Sequence, residues 1–262
     1  MVEGLENLAK MEYPGRFIIL GRHAEEETNI AIYGVTGRSS SSQARKFVFD
    51  AEHKVLRTDV TDKEQLEKGS PALLIYPAMA KCKNFMVISN GAQTNHMFAL
   101  IRNGSKGTHP GRFADIAFNL NNDNLIYDPK EGWIDLTTYE PDAPNNTPRV
   151  NGILSSYNNI GNLSILKCID AKRVMEDKSY EFEPSQGRLI ATYTGVNENP
   201  LPSFEGEPLE VELTGKTQQN IAEAVYDALA PEEGGKDFRV AVACWFTNEE
   251  KPYIINRNEF YH

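Results

Sequence analysis

Short apolar runs, each bounded by glycine, proline or asparagine, recur along the chain and limit the folds it can adopt. Runs of about four to eight residues between such boundaries are typical of buried strands. The predicted strands are residues 16–22, 29–35, 47–51, 71–76, 85–89, 150–157, 163–170, 188–193, 239–246 and 253–256. Helical spacing predicts helices over residues 94–102 and 217–230, and another near Pro110. Strand pairs alternating with helices indicate an α+β fold, with sheet packed on sheet and helices outside.

The chain is long enough to bury a large core as one unit. It has 262 residues, and no Ser/Gly linker or low-complexity segment divides it. We therefore expect a single domain over residues 15–262. Residues 1–14 are an N-terminal extension that ends at Pro14, either a short helix carrying Leu5 and Leu8 or a loose tail.

The charge balance excludes several classes of partner. The formal net charge is −10, which argues against a broad surface for nucleic acid or for an anionic membrane. No apolar run approaches about 18 residues, and no basic N-terminus leads into a shorter one. The sequence predicts a cytoplasmic protein without nucleic-acid or membrane partners.

Metal and redox sites have little support. The three cysteines are far apart, and the five histidines are not paired at spacings typical of metal ligands. Cys82 lies between Lys81 and Lys83, which favours the thiolate, but no histidine or asparagine pattern accompanies it. We expect no metal ion.

A basic, serine-rich stretch near the N-terminus is the first candidate site. Residues 29–49 contain no acidic residue. Gly34 and Gly37 permit sharp turns and close approach to a ligand, and four serines with Arg38 and Arg45 supply donors for oxyanions. The stretch predicts a strand–turn–strand unit that holds an anionic, phosphorylated small molecule. The alternative is a solvated hairpin loop.

A tyrosine and a lysine form the second candidate. The predicted strand 71–76 delivers Tyr76 at its end, with Lys81 five residues later. A tyrosine beside a cation can act as a general acid or as an oxyanion donor. The alternative is a strand-end tyrosine whose hydroxyl reaches water.

Two polar connections are further candidates. Residues 89–94 lie between a predicted strand and a predicted helix, where open N–H groups bind anions; the alternative is a plain turn with an N-cap. Residues 139–149 hold two acids, two amides and an arginine around three prolines, which predicts a rigid polar loop. An ordinary surface crossover is the alternative there.

Taken in order, these segments resemble the archaeal-type IMP cyclohydrolases and their bacterial relatives. The matching positions are residues 15–17, 21–22, 33–39, 76, 89–91, 139–140, 147–150 and 191–193. Residues 40–43 depart from the family's Ser-Phe-Pro-Asn type of turn. The resemblance implies a four-layer αββα fold like that of N-terminal-nucleophile hydrolases. Met1 and Val2 offer no nucleophile, so the hydrolase chemistry of that fold does not transfer.

The resemblance also implies an activity. The family closes the purine ring of 5-formamidoimidazole-4-carboxamide ribonucleotide (FAICAR), giving IMP and water, without a metal or organic cofactor. The implied partners are therefore FAICAR and IMP, and a homo-oligomer is compatible with a sheet protein of this kind.

Residue types and the resemblance together suggest roles. We expect Arg38 and Lys81 near the formyl oxygen, with Tyr76 as proton donor. We expect Glu140 or Asp142 to take the carboxamide proton. The predicted substrate-binding residues are Asn90 and Thr147 for the base, Arg22, Arg45 or Arg149 for the phosphate, and Ser39, Gly91, Thr94 and Asn146 around them.

Two other functions stay open. One is an amidohydrolase of the same fold, which would need a processed chain beginning at a nucleophile. The other is a regulatory protein that binds purine nucleotides without turnover.

Overall fold

The computed structural model describes residues 2–62, 64, 74–103, 125–128, 132–135, 148–169 and 172–260. The strands in these ranges are β1 (Arg16–Arg22), β2 (Asn29–Thr36), β3 (Arg45–Asp50), β4 (Val55–Val60), β5 (Pro77–Cys82), β6 (Phe85–Ser89), β7 (Leu125–Asp128), β8 (Gly132–Asp135), β9 (Arg149–Ser155), β10 (Ile160–Ile169), β11 (Lys172–Glu181), β12 (Gln186–Ala191), β13 (Leu209–Glu212), β14 (Arg239–Phe246) and β15 (Tyr253–Asn256). The helices are α1 (Glu6–Ala9), α2 (Ser40–Gln43), α3 (Gln93–Asn103), α4 (Gln218–Ala228) and α5 (Arg257–Phe260).

Two large antiparallel sheets dominate the described part of the chain. The first sheet has the order β13-β12-β1-β2-β14-β15, and the second has the order β11-β10-β9-β6-β5-β4-β3. Strands β7 and β8 pair as a separate hairpin. The predicted α+β class with two sheets is confirmed.

The two sheets pack against each other through apolar side chains. Ile18 and Leu20 of β1 lie over Gly152 of β9, where the missing side chain leaves room for them. The contact continues between β2 and both β6 and β9. This packing explains the burial of β2 and of β1 up to Gly21, because strands covered on both faces are apolar along most of their length.

Asparagine side chains join the sheets at their margins. In β2, Asn29 donates to the carbonyls of Ser155 and Asn158, at 2.7 and 2.6 Å. At the end of β15, Asn256 accepts from the amide of Phe47 at 2.7 Å and donates to its carbonyl at 3.0 Å. These bonds satisfy buried backbone groups that strand pairing leaves open.

A helix packs on each sheet. Met97 and Ile101 of α3 cover Val87 of the second sheet. Helix α4 packs on β14 and β15 through Ile221 and other apolar residues. It lies within the predicted helix 217–230, which the helical spacing of these apolar residues indicated. Within the described ranges, no helix combines the length and the apolar character needed to cross a bilayer.

The N-terminal segment is a short helix and not a loose tail. Leu5, Leu8 and Met11 flank or lie in α1 and are buried in the core. The amide of Tyr13 donates to the carbonyl of Gly195 at 2.9 Å, which fixes the entry into β1.

The predicted strand over residues 71–76 is wrong in its described part, residues 74–76. The strand of this region is β5, which begins at Pro77. Proline is tolerated as the first residue of a strand, so the apolar residues mark the approach to β5. Leu74 and Tyr76 are buried there although both lie outside any strand.

The basic stretch is not a hairpin. Strand β2 belongs to the first sheet and β3 to the second, so their connection crosses between sheets. Its middle is α2, capped by Ser39, which accepts from the amide of Ser42 at 3.2 Å. Gly34 lies inside β2 under the ring of Phe17, so it serves packing and not a turn. Gly37 lies against the backbone of Ser42 and closes the connection.

Replacing Gly34 by alanine should destabilise the fold, because the new methyl group would overlap the ring of Phe17. We expect the free energy of unfolding in urea to fall by about 2–3 kcal/mol, as overpacked cores do. A cycle with Phe17→Leu is the control. The double variant should lose less than the sum of the single losses, and strict additivity would contradict the contact.

Candidate functional site

One end of the two packed sheets collects most of the predicted site residues that the structure describes. In the first sheet, Arg16 pairs with Val35, so β1 begins where β2 ends. In the second sheet, Ser89 pairs with Asn151, so β6 ends where β9 begins. A hydrogen bond of 3.1 Å from Asn90 to Thr192 connects the two. We call this region the site end.

Asn90 is the central residue of the site end. Its Nδ2 donates to the carbonyl of Pro148 at 2.9 Å and to Thr192 Oγ1 at 3.1 Å. Its Oδ1 accepts from the amide of Val150 at 3.1 Å and from Gln93 Nε2 at 2.8 Å. An asparagine amide has two donors and two acceptor sites, so all are used within the protein. Asn90 therefore links the two sheets. To orient the nucleobase of a substrate, as predicted, it would have to exchange one of these hydrogen bonds.

Arg149 lies on the α3 side of the same network. It is fully buried, and its Nη1 donates to Gln93 Oε1 at 3.3 Å. Gln93, the first residue of α3, also donates to Asn151 Oδ1 at 3.3 Å. The arginine predicted to hold a phosphate is thus built into the interior of the protein.

The turn before α3 is closed by hydroxyl groups. The Ser89 and Thr94 hydroxyls lie within hydrogen-bonding distance of each other and of the Gly91 carbonyl, which is 3.0 and 3.1 Å away. Each hydroxyl has one proton to donate, so two of these three contacts are hydrogen bonds at one time. These bonds are those of a capped turn. A ligand role for Gly91 and Thr94 stays a prediction.

Tyr76 points into the space between the sheets. Its hydroxyl lies 2.9 Å from that of Tyr33 in β2, and both side chains are buried. Thr58 of β4 fixes its backbone: Tyr76 N donates to Thr58 Oγ1 at 2.9 Å, and Thr58 N donates to the Tyr76 carbonyl at 2.9 Å. Both sheets therefore position this phenol.

Two arginines brace the connection between β2 and β3. Arg38 Nη1 donates to the carbonyl of Glu198 at 2.8 Å, and its guanidinium lies 5.6 Å from the ring centre of Tyr13. Arg45 donates to the carbonyls of Ser42 and Thr36, at 2.8 and 3.1 Å. Arg38 is half-buried, whereas Arg45 is buried.

The structure does not bring Lys81 to the site end. Tyr76 precedes β5 and Lys81 lies within it, so five residues of extended chain separate them by roughly 16 Å. Lys81 Nζ donates to the carbonyl of Glu249 at 3.0 Å. Partial burial lowers the pKa of Lys81, against the opposing charge of Glu250.

Arg22 is likewise elsewhere. It ends β1, six residues from Arg16, which places it about 20 Å from the site end. Four other predicted site residues, Glu140, Asp142, Asn146 and Thr147, lie outside the described residues.

The sequence matches one known family across most of its length. The pattern of the IMP cyclohydrolase-like protein family covers residues 13–110 and 116–249. The chain belongs to this family. The matched segments include Arg38, Tyr76, Asn90 and Arg149. No curated protein matches the chain.

Sequence reasoning gave no site role to three residues of this IMP cyclohydrolase-like site end, although all three lie in stretches that it singled out. Arg16 is a buried cation at the start of an apolar strand, and its position there was the available signal. The contacts of Thr192 with Asn90 and of Gln93 with Arg149 join residues distant in sequence, so no local pattern gave these two a role. Across the described residues, no three His, Cys, Asp or Glu side chains converge as metal ligands.

The residues before β14 support the connection between β2 and β3, residues 37–44, which we call the Arg38 connection. Asp237 is one of them. Arg239 donates to both of its carboxylate oxygens, through Nε at 3.0 Å and Nη2 at 2.9 Å. Next to it, the carbonyl of Phe238 accepts from the amide of Gly37 at 2.8 Å. Partial burial raises the pKa of Asp237, but the hydrogen bonds from Arg239 outweigh it, so the pKa lies below its ordinary value.

Because its pKa is depressed by folding, the Asp237 carboxylate stabilises the protein above the unfolded pKa of about 3.9. That stability is lost as the pH falls through the folded value. Asp237→Asn should lower the free energy of unfolding at pH 7 by about 1 kcal/mol. It should also flatten the loss of stability below about pH 4. Urea titrations at several pH values measure both, and equal acid slopes in the two proteins would contradict the assignment.

Proposed function

We propose that this protein is an IMP cyclohydrolase, which closes the ring of FAICAR and releases IMP and water. The observation that carries the proposal is the family match over most of the chain. It is supported by the location of Tyr76, Arg149 and Arg38 beside strand ends that lie at one end of the two sheets.

The proposal includes the finer fold. A helix packed on each of two stacked antiparallel sheets supports a four-layer αββα sandwich of the N-terminal-nucleophile hydrolase type. The site end would then lie at the edge of the two central layers.

The reaction depends mainly on position. The carboxamide nitrogen is a weak nucleophile that must meet the formyl carbon of the same molecule. Holding the two atoms within about 3–3.5 Å removes much of the entropic barrier. The adjoining ends of two packed sheets suit that task, because packing fixes their relative position.

The departing oxygen needs charge stabilisation and protons. As the C–N bond forms, negative charge develops on the formyl oxygen, and the oxygen then leaves as water. In our proposal, Tyr76 donates a proton to this oxygen and Arg38 stabilises the charge. The Tyr33 and Tyr76 hydroxyls lie 2.9 Å apart; the proposal takes Tyr33 as the donor of this bond, so that the Tyr76 proton goes to the substrate. Glu140 or Asp142 takes one carboxamide proton and passes it to the same oxygen, which leaves as water when its bond to the former formyl carbon breaks. The formamide N–H proton is released as the ring C–N double bond forms, and it restores the Tyr76 phenol.

The 5′-phosphate requires a cation at the site end. The two candidates there, Arg45 and Arg149, are buried, so either would exchange a present hydrogen bond for one to the phosphate. Of the predicted arginines, Arg45 adjoins the Arg38 connection, and its side chain lies beside Thr36. Arg22 is too distant, so we assign the phosphate to Arg45 or Arg149. Lys81 has no part in the proposed mechanism.

Incubation with FAICAR, followed by detection of IMP by absorbance or mass, tests the function. Tyr76→Phe and Arg38→Ala should each lower kcat by about 100-fold or more. Lys81→Met is the matched control and should keep kcat within about twofold, because it removes a cation from the opposite end of β5.

Three outcomes would overturn parts of the proposal. Absence of IMP with the wild-type protein would reject the enzyme, and a thermal shift with IMP in that case would indicate a binding protein. Wild-type rates in both variants would reject the assigned roles. A large loss in Lys81→Met would restore lysine to the mechanism.

A further inference from the structure

A directional chain of hydrogen bonds crosses from the second sheet to the first. It runs from Arg149 Nη1 to Gln93 Oε1 (3.3 Å), then from Gln93 Nε2 to Asn90 Oδ1 (2.8 Å). It continues from Asn90 Nδ2 to Thr192 Oγ1 (3.1 Å) and from Thr192 Oγ1 to the carbonyl of Arg16 (3.1 Å). The four side chains that form it are fully buried.

The chemistry of the partners fixes the direction of every bond. Arginine can only donate, so Gln93 must turn its oxygen towards Arg149. The Pro148 carbonyl can only accept, so Asn90 must turn its nitrogen towards Pro148 and, with it, towards Thr192. The Thr192 hydroxyl accepts this bond and has its own proton left for Arg16. Successive bonds of one sense polarise and strengthen each other.

This chain of hydrogen bonds connects the two walls of the site end, by which we mean the strand ends of the first and of the second sheet there. Arg149 and Asn90 belong to the second sheet, which with Thr58 also sets the backbone of Tyr76. Thr192 follows β12 of the first sheet, and the carbonyl it reaches belongs to β1. Thr192 also donates its backbone amide to that carbonyl at 2.8 Å. The chain therefore sets the separation of the walls between which the substrate would lie.

We propose that Gln93 and Thr192 are positioning residues that hold the two walls of the site at the spacing ring closure requires. The inference rests on the proposed function for its catalytic part. Neither residue touches substrate in this proposal; they act through Asn90. A change of about 1 Å in the relative position of reacting groups can cost up to about 100-fold in rate.

Thr192→Val and Thr192→Ser test the role of the hydrogen-bond chain, because valine matches threonine in shape but lacks the hydroxyl, whereas serine keeps it. We expect Thr192→Val to lower kcat roughly tenfold with little change in KM, and Thr192→Ser to stay within about twofold of wild type. Gln93→Met should behave like Thr192→Val, since it removes both amide functions.

Thr28→Val is the matched control for general loss of stability. Thr28 is also a buried threonine, and it donates to Asn248 Oδ1 at 2.9 Å at the far end of β2 from Thr36. Thr28→Val should lower the melting temperature while leaving kcat unchanged. Equal kcat values for Thr28→Val and Thr192→Val would reduce Thr192 to a structural role and overturn the proposal.

A measurement independent of turnover separates this inference from the proposed function. Hydrogen exchange of the residue 192 amide should be roughly tenfold faster in Thr192→Val than in wild type or Thr28→Val. If the wild-type protein fails to cyclise FAICAR but the amide of residue 192 still exchanges faster in Thr192→Val than in the other two proteins, the proposed function is rejected and the coupling of the two walls stands. If the hydrogen-exchange rate of the residue 192 amide and kcat in Thr192→Val both equal the wild-type values, the hydrogen-bond chain has no positioning role.

Discussion

Face-to-face packing of two antiparallel sheets is the constraint on which the rest of this structure depends. Apolar residues fill the space between the sheets, as Ile18 over Gly152 shows. At the margins, however, strand ends leave backbone groups that apolar packing cannot satisfy. Asn29 and Asn256 reach across at two margins and bond such backbone groups, and Asn90 reaches across at a third to the hydroxyl of Thr192. An amide suits this place because it both donates and accepts without carrying a charge that burial would penalise.

The candidate site inherits its geometry from that packing. Tyr76 comes from the second sheet, but its hydroxyl meets Tyr33 of the first. The Arg38 connection leaves the first sheet, but it is followed by β3 of the second. Neither sheet alone could form the site end. In the proposed ring closure the protein contributes mainly position, so the rigidity of the two packed sheets would be part of that chemistry.

Sequence patterns predicted the strongly apolar elements and failed where long-range pairing decides. Strands β14 and β15 have the predicted bounds, and β14 was recognisable because a run buried on both faces is apolar almost throughout. Strand β11 was missed, since its charged residues suit an exposed edge and resemble a loop. The pairing of Tyr76 with Lys81 failed because the strand begins after the tyrosine and carries the lysine away. The bond between Asn90 and Thr192 joins residues 102 positions apart, and no local pattern contains it.

The order of strands in the first sheet has a consequence for synthesis of the chain. Its centre is the β1–β2 hairpin, made early, but the neighbours of that hairpin are β12 and β14. The intervening sequence builds the second sheet, which is complete at β11. The apolar hairpin thus emerges from the ribosome long before both its edges can be covered. Exposed edges invite pairing with other chains, so protection by a chaperone during this interval would favour a good yield of native protein.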